Sequence, residues 1–290
     1  MALEYFSIFF PHYHYPNQKY LAKSLHQYEC EDPLIEAEFI KIALGSEFRG
    51  AIGEVINENT ILDSELIESI TELCGSNKVT KIITYNYDDL VEKALEKAKK
   101  PVEVISNEDT YKNQGGDSNI KVFHVHGYFP DDRSELILSE SEYINYLQNK
   151  SYWGDHIQND NFNYSHCLLI GLSIKDPNLR RLMYLAYQER LKNLFIGIPH
   201  FAFLRKITAK EFIKKKNKSE YTGENANKRK EKETKRFLMM YHKLKELAYY
   251  QLGINVIWYD SHKKKDKKKD KEILLSELIK NLNHFLLKKV

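Results

Sequence analysis

A chain of 290 residues with 42% hydrophobic and 12% aromatic side chains can bury a sizeable core, which excludes wholesale disorder. Its net charge of +3 conceals a segregation: residues 205–236 hold 13 Lys and Arg against 5 acids, residues 263–271 hold 7 against 2, and the remainder is acidic, 24 against 34. Three scattered cysteines (Cys30, Cys74, Cys167) without a Cys-x-x-Cys exclude a disulfide scaffold and a four-cysteine zinc ribbon. No apolar run approaches the roughly 18–20 residues that span a bilayer, and Met1–Phe10 lacks the basic start of a signal peptide, so the expected location is cytoplasmic.

Along the chain, Leu3–Phe10 reads as a strand or a buried helix start ended by Pro11, and Tyr20–Tyr28 and Leu34–Leu44 read as helices from their three- and four-residue apolar spacing. Asp63 caps a helix that turns Leu66, Ile67, Ile70 and Leu73 to one side. Then an alternation sets in. The β-branched run Val79–Thr84 precedes a helix expected to point Leu90, Val91, Ala94, Leu95 and Ala98 inward, which Pro101 stops. Strands follow at Val102–Ile105, Ile120–Val125 and Leu136–Leu138, and Ser139 with Glu142 forms a capping box for the helix through Leu147. Cys167–Leu172 is apolar throughout, as in a strand covered on both faces. Asp176-Pro177 opens a helix whose buried stripe is Leu179, Leu182, Met183 and Ala186. His200–Leu204 is the next strand, 208–252 a basic and mostly helical insertion closed by Gly253, Ile254–Trp258 the last strand, and Leu275–Phe285 a terminal helix. This order predicts an α/β fold with a mainly parallel, doubly wound sheet.

Such folds bind ligands at the carboxyl ends of their strands, and three polar clusters fall there. They are Thr84-Tyr85-Asn86-Tyr87-Asp88, His124-Val125-His126-Gly127-Tyr128, and Gly171-Leu172-Ser173-Ile174-Lys175-Asp176. An amide, a carboxylate and an imidazole at one sheet edge suit sugar hydroxyls and a reactive base. A plainer reading stands beside this one. Asp88 and Asp176 also serve as helix caps, and His124 and His126, two apart on a strand, are also read as hydrogen-bonded core residues. The basic blocks suit nucleic acid or an acidic partner, but no aromatic residue interrupts Lys263–Lys271, so solvated segments are the simpler reading and nucleic-acid contact is not expected. His12 and His14 raise a metal site that no neighbouring carboxylate completes, so no metal is expected.

The stretches KIITYNYDDLVEKAL, KVFHVHGYF, LILSESEY, CLLIGLSIKDPNLRRLM and INVIWYD, in this order, make the chain resemble the sirtuin-like (silent information regulator type) domains of bacterial defence proteins over roughly Leu62 to Phe285. The resemblance implies a single Rossmann-like domain over residues 1–290, without a zinc ribbon. It implies NAD as substrate, hydrolysed to nicotinamide and ADP-ribose during phage infection, with a homo-oligomer or a partner defence subunit. A catalytically weak or inactive nucleotide-binding module is the alternative, with deacylation or ADP-ribosyl transfer behind it. Deacylases of this family carry a four-cysteine zinc module that this sequence lacks.

Carried over position by position, the resemblance makes His126, directly before glycine, the catalytic histidine. It makes Asn86 the ribose-side amide and Asp88 its neighbouring carboxylate, with Thr84 beside them. Gly171, Ser173 and Asp176 fall in the loop that contacts the adenosine half. Tyr85 departs from the family's usual threonine or glutamine. The family's Gly-Ala-Gly-x-Ser loop, whose amides cradle the pyrophosphate, has no counterpart before Asn86, since Gly45, Gly50 and Gly53 lack the spacing. The expectation is that the chain either begins past that loop or has lost it.

Overall fold

In the computed structural model the described residues are 32–59, 64–74, 79–116, 119–192, 200–209, 211–212, 224–259, 275 and 277–280. The chain divides into two compact units, Met1–Asp155 and His156–Val290.

Among the described residues, the first unit begins with α1 (Pro33–Leu44), with Asp32 accepting from the Leu34 amide at 2.9 Å and proline at the first position. A 3₁₀ turn (Gly45–Glu47) leads into α2 (Phe48–Asn59), which the sequence did not announce, and α3 (Glu65–Cys74) follows. Next come β1 (Lys81–Thr84), α4 (Leu90–Lys97), β2 (Val102–Ile105), a short α5 (Glu108–Lys112), β3 (Ile120–His124) and α6 (Glu140–Gln148). The sheet order is β1-β3-β2, parallel throughout, with Thr84 opposite His124 and Ile105 opposite Phe123. β3 lies in the middle, so all five of its residues are buried. Cys74, Leu95, Ile120 and Val122 form a core against which Ile70, Val79, Ile82, Val91 and Val102 pack. Removing this apolar surface from water holds α3 and α4 to the sheet.

Two expectations change here. Leu136–Leu138 is not a strand. Only Ile137 donates its amide to the His126 carbonyl (2.8 Å), while the Leu138 amide turns to the Glu142 carboxylate (3.0 Å) as part of the capping box at Ser139. On α4, Ala98 is exposed at the cap, and the buried face instead carries Glu92 beside Leu95.

In the second unit, β4 (Leu168–Leu169), α8 (Pro177–Lys192), β5 (His200–Arg205), α9 (Glu224–Tyr250) and β6 (Ile254–Tyr259) build a sheet of order β4-β5-β6, again parallel. A further helix, α7 (Trp153–Tyr164), carries the chain into this unit. The expected strand Cys167–Leu172 shortens to two residues, because the backbone turns away at Gly171, whose φ is +72°. The predicted stripe of α8 (Leu179, Leu182, Met183, Ala186) is buried, and Gly253 (φ +72°) ends the helical insertion before β6. Residues 275 and 277–280 are helical.

Among the described residues every strand pairing is parallel and helices connect the strands, which makes this a mixed α/β, Rossmann-like architecture. No helix among the described residues is long and apolar enough to cross a membrane. The readings at Leu3–Phe10, Tyr20–Tyr28, His12, His14, Asp63 and Lys263–Lys271 lie outside the described residues.

Candidate functional site

Two of the three polar clusters meet in the first unit because β1 and β3 are hydrogen-bonded neighbours that end at the same level. β3 continues past His124 into a turn, with the Val125 amide donating to the Thr84 carbonyl (3.2 Å). The loops after both strands are laced together: Phe129 donates its amide to the Tyr87 carbonyl (2.8 Å), and the Tyr87 hydroxyl donates to the Ile137 carbonyl (2.7 Å). Burial, and after it the Glu142 carboxylate, pushes the Tyr87 phenol upward, so it stays a donor at neutral pH. Gly127 sits at φ +107°, and a Cβ there would lie 2.4 Å from the Glu135 carbonyl oxygen and 2.9 Å from the Leu136 Cα. Only glycine fits that turn.

Asn86 is exposed at the end of β1, and its backbone is held from both sides. Its amide donates to Thr84 Oγ1 (3.0 Å), and its carbonyl oxygen lies 3.0 Å from His124 Nδ1. The Thr84 hydroxyl is thus turned to the loop. Asp88 accepts from the Leu90 amide through Oδ1 (3.1 Å) one residue ahead of the cap, and the N-cap of α4 is Asp89, not Asp88 as expected. His126 is half-buried, its ring edge-on to Tyr85 (centroids 4.6 Å apart) and to Tyr146 (5.7 Å). Tyr146 is fixed by donating to Asp155 Oδ1 (2.6 Å), and Tyr152, packed against it, donates to the Val125 carbonyl (2.9 Å). The imidazole therefore stands between aromatic walls at a strand end, one strand away from an exposed amide. Such a constellation can orient a sugar and take a proton from it or from water.

The two histidines part company. His124 is 1% exposed and belongs to the core, with Nε2 2.6 Å from Glu92 Oε1 and the Tyr128 ring over it at 4.2 Å. The core alternative holds for His124, while His126 is half-buried, with its Nε2 atom out of reach of solvent. Sequence reading missed Glu92, Tyr146 and Tyr152 as supports of the site. Glu92 had a signal, a carboxylate three residues before buried Leu95 on the inward stripe of α4. The tyrosines had none, because helical spacing alone does not say which loop a helix covers.

In the second unit, Gly171, Ser173 and Asp176 share the loop between β4 and α8. Gly171 and Ser173 are exposed, and a Cβ on Gly171 would meet nothing within 4 Å. Asp176 Oδ1 accepts from the Leu179 amide (2.6 Å), as a helix cap. Between them Ile174 is buried at φ +53°, a conformation that costs a β-branched residue about 1–3 kcal/mol. Its carbonyl accepts from Arg180 (3.4 Å), and the neighbouring Ser173 carbonyl accepts from the Tyr249 hydroxyl (3.3 Å). The loop is thus held in one shape that presents Gly171 and Ser173 outward.

Burial pushes the Cys74 thiol up to about 11 and the Cys167 thiol up to about 12, so neither is a ready nucleophile. Among the described residues, no group of three or more His, Cys, Asp or Glu stands close enough together to hold a metal ion.

A parallel α/β sheet whose strand-end loops carry Asn86, Asp88 and His126-Gly127 defines a class, and the SIR2-like domain family model matches residues 80–234. The chain belongs to that family. It is also 26% identical over 172 residues to the NAD(+) hydrolase ThsA of Enterococcus faecium, a match that covers 57% of this chain and 34% of that protein. The chain thus spans about a third of the length of this curated relative.

Proposed function

We propose that this chain hydrolyses the nicotinamide–ribose bond of NAD in bacterial antiphage defence, as one cytoplasmic sirtuin-like domain over residues 1–290 with a basic helical insertion at 208–252. The observation that carries the reading is His126, half-buried between Tyr85 and Tyr146 and one hydrogen-bonded strand away from Asn86. Membership in the SIR2-like family and the likeness to an NAD(+) hydrolase support the choice of substrate.

In the proposed reaction the C1′–N bond breaks and its electron pair leaves with nicotinamide, which departs neutral. Positive, oxocarbenium-like character develops on the ribose, as in other glycosidic cleavages. Water adds to C1′, and His126, in its neutral form near pH 7, takes the proton from that water or from a ribose hydroxyl. The Asn86 amide orients the ribose or the water. Asp88, with one oxygen committed to the Leu90 amide, holds the loop and places negative charge near the developing cation. Gly171 and Ser173 serve as contacts to the adenosine half, and no metal takes part.

One observation favours a second reading. Asp176 caps α8 and Asp88 accepts the first amide of α4, local structural contacts that suit a module that binds NAD without cleaving it. Release of nicotinamide from NAD by the purified chain, followed by chromatography, separates the two. Binding without release supports the second.

A further inference from the structure

A buried polar contact of the first unit, between His124 and Glu92, has a proton count that fixes its role. His124 lies between two oxygens, the Asn86 carbonyl at 3.0 Å from Nδ1 and Glu92 Oε1 at 2.6 Å from Nε2. A carbonyl oxygen only accepts, so Nδ1 carries hydrogen. A 2.6 Å approach of Nε2 to a carboxyl oxygen then requires a second proton, on the imidazole or on Glu92. A neutral histidine facing an ionised Glu92 would supply only one proton for the two contacts. The pair as a unit therefore holds one proton more than that, as imidazolium with carboxylate or as imidazole with carboxylic acid. In both forms it is neutral overall, and in both Nδ1–H points at Asn86. Glu92 is 3% exposed, His124 1%, and Glu92 Oε2 has no hydrogen-bond partner among the described residues, so water does not disperse the arrangement.

The target of that donor is the residue that the proposed reaction needs most precisely placed. Asn86 sits in the irregular segment between β1 and α4, with its amide on Thr84 Oγ1 and its carbonyl on His124. Glu92 comes from α4, His124 from β3 and Thr84 from β1, so three elements hold the two peptide groups that flank the Asn86 Cα. We propose that Glu92 and His124 form a proton-holding pair that positions Asn86, fixing the backbone from which its exposed amide reaches the ribose. The inference rests on the assignment of Asn86 to the ribose made above. Glu92 and His124 are positioning residues that touch no substrate.

A merely structural pair and a positioning pair respond differently to replacement. In Glu92→Leu/His124→Phe both polar partners leave together, so no buried charge is stranded and folding is retained. The Asn86 carbonyl loses its donor. The expected result is a melting temperature within a few degrees of wild type, kcat for NAD cleavage lower by about 10- to 100-fold, and KM within about threefold. Glu92→Gln is the conservative rescue: its amide donates to Nε2, Nδ1–H stays on Asn86, and kcat stays within about threefold of wild type. Wild-type kcat in the folded double variant, or a loss in Glu92→Gln as deep as in the double variant, overturns the proposal. Should the double variant not fold, ¹⁵N-histidine NMR of the full wild-type chain decides. A slowly exchanging His124 Nδ1–H coupled across its hydrogen bond to the Asn86 carbonyl is expected, and its absence overturns the proposal. If the wild-type chain releases no nicotinamide, the proposed hydrolysis fails, and the NMR measurement still tests the tether on its own.

Discussion

Replacing Gly127 by alanine tests the turn that carries His126. The residue stands at φ +107°, outside the comfortable range of any side chain, at a cost of about 1–3 kcal/mol. The new Cβ would also lie 2.4 Å from the Glu135 carbonyl and 2.9 Å from the Leu136 Cα, both backbone atoms that cannot rotate away, and relieving such overpacking costs about 1–3 kcal/mol more. The two together come to about 4 kcal/mol, which lowers the melting temperature by about 8–16 °C at roughly 2–4 °C per kcal/mol for a chain of this size. Gly171→Ala is the matched control. Its φ is also positive, at +72°, but a Cβ meets nothing within 4 Å, so only a backbone cost of about 1–2 kcal/mol remains. Thermal unfolding of the two variants by circular dichroism should rank Gly127→Ala well below Gly171→Ala. Equal melting temperatures, or Gly127→Ala within about 2 °C of wild type, would refute the reasoning.

Three further outcomes follow from the same geometry. Burial, and behind it the Arg190 guanidinium, holds His200 down at about 4, so between pH 6.5 and about 4 the unfolded chain binds a proton that the folded one refuses. Its contribution is complete above pH 6.5, and about 3 kcal/mol is lost as pH falls to about 4, so His200→Gln should flatten the pH dependence of the urea midpoint across that window; an unchanged slope would refute this. In a Cys30→Ser background, thiol titration of the native chain at pH 8 should find Cys74 and Cys167 unreactive until denaturant is added, because thiols held near 11 and 12 are about a thousandth or less ionised. Prompt labelling of either would show a more open core. Tyr146→Phe removes the bond to Asp155 that fixes one wall beside His126, and should lower kcat by several-fold with little change in melting temperature, as steady-state kinetics and calorimetry can check.

The alternation of strands and helices was legible because β-branched runs and three-four spacing are local properties. β1, α4, β2 and β3 fall where periodicity put them, and the Ser139/Glu142 capping box is present. What failed to read was decided by contacts and compositions that a local apolar pattern does not encode. Leu136–Leu138 has the composition of a strand, but its amides go to His126 and Glu142 instead of to a ladder. α2 is interrupted by Gly50 and Gly53, and the helix Trp153–Tyr164 is rich in polar residues, so neither shows a clean apolar stripe. At the site, Asn86 and His126-Gly127 were recognisable from their motifs. The separation of His124 from His126 was not, because it depends on Glu92 reaching β3 from α4. A strand alternation placed the two histidines on one face, and the turn that begins after His124 broke that equivalence.

The central claim is that His126 at the end of β3 acts as the base for NAD cleavage, and paired turnover assays of wild type and His126→Ala test it most directly. Purified full chain is incubated with NAD, and nicotinamide and ADP-ribose are quantified by chromatography, with circular dichroism confirming that both proteins are folded. The account predicts equimolar nicotinamide and ADP-ribose from the wild type and a loss of about 10²–10⁴-fold in the variant. A folded His126→Ala that turns over NAD at the wild-type rate would contradict it.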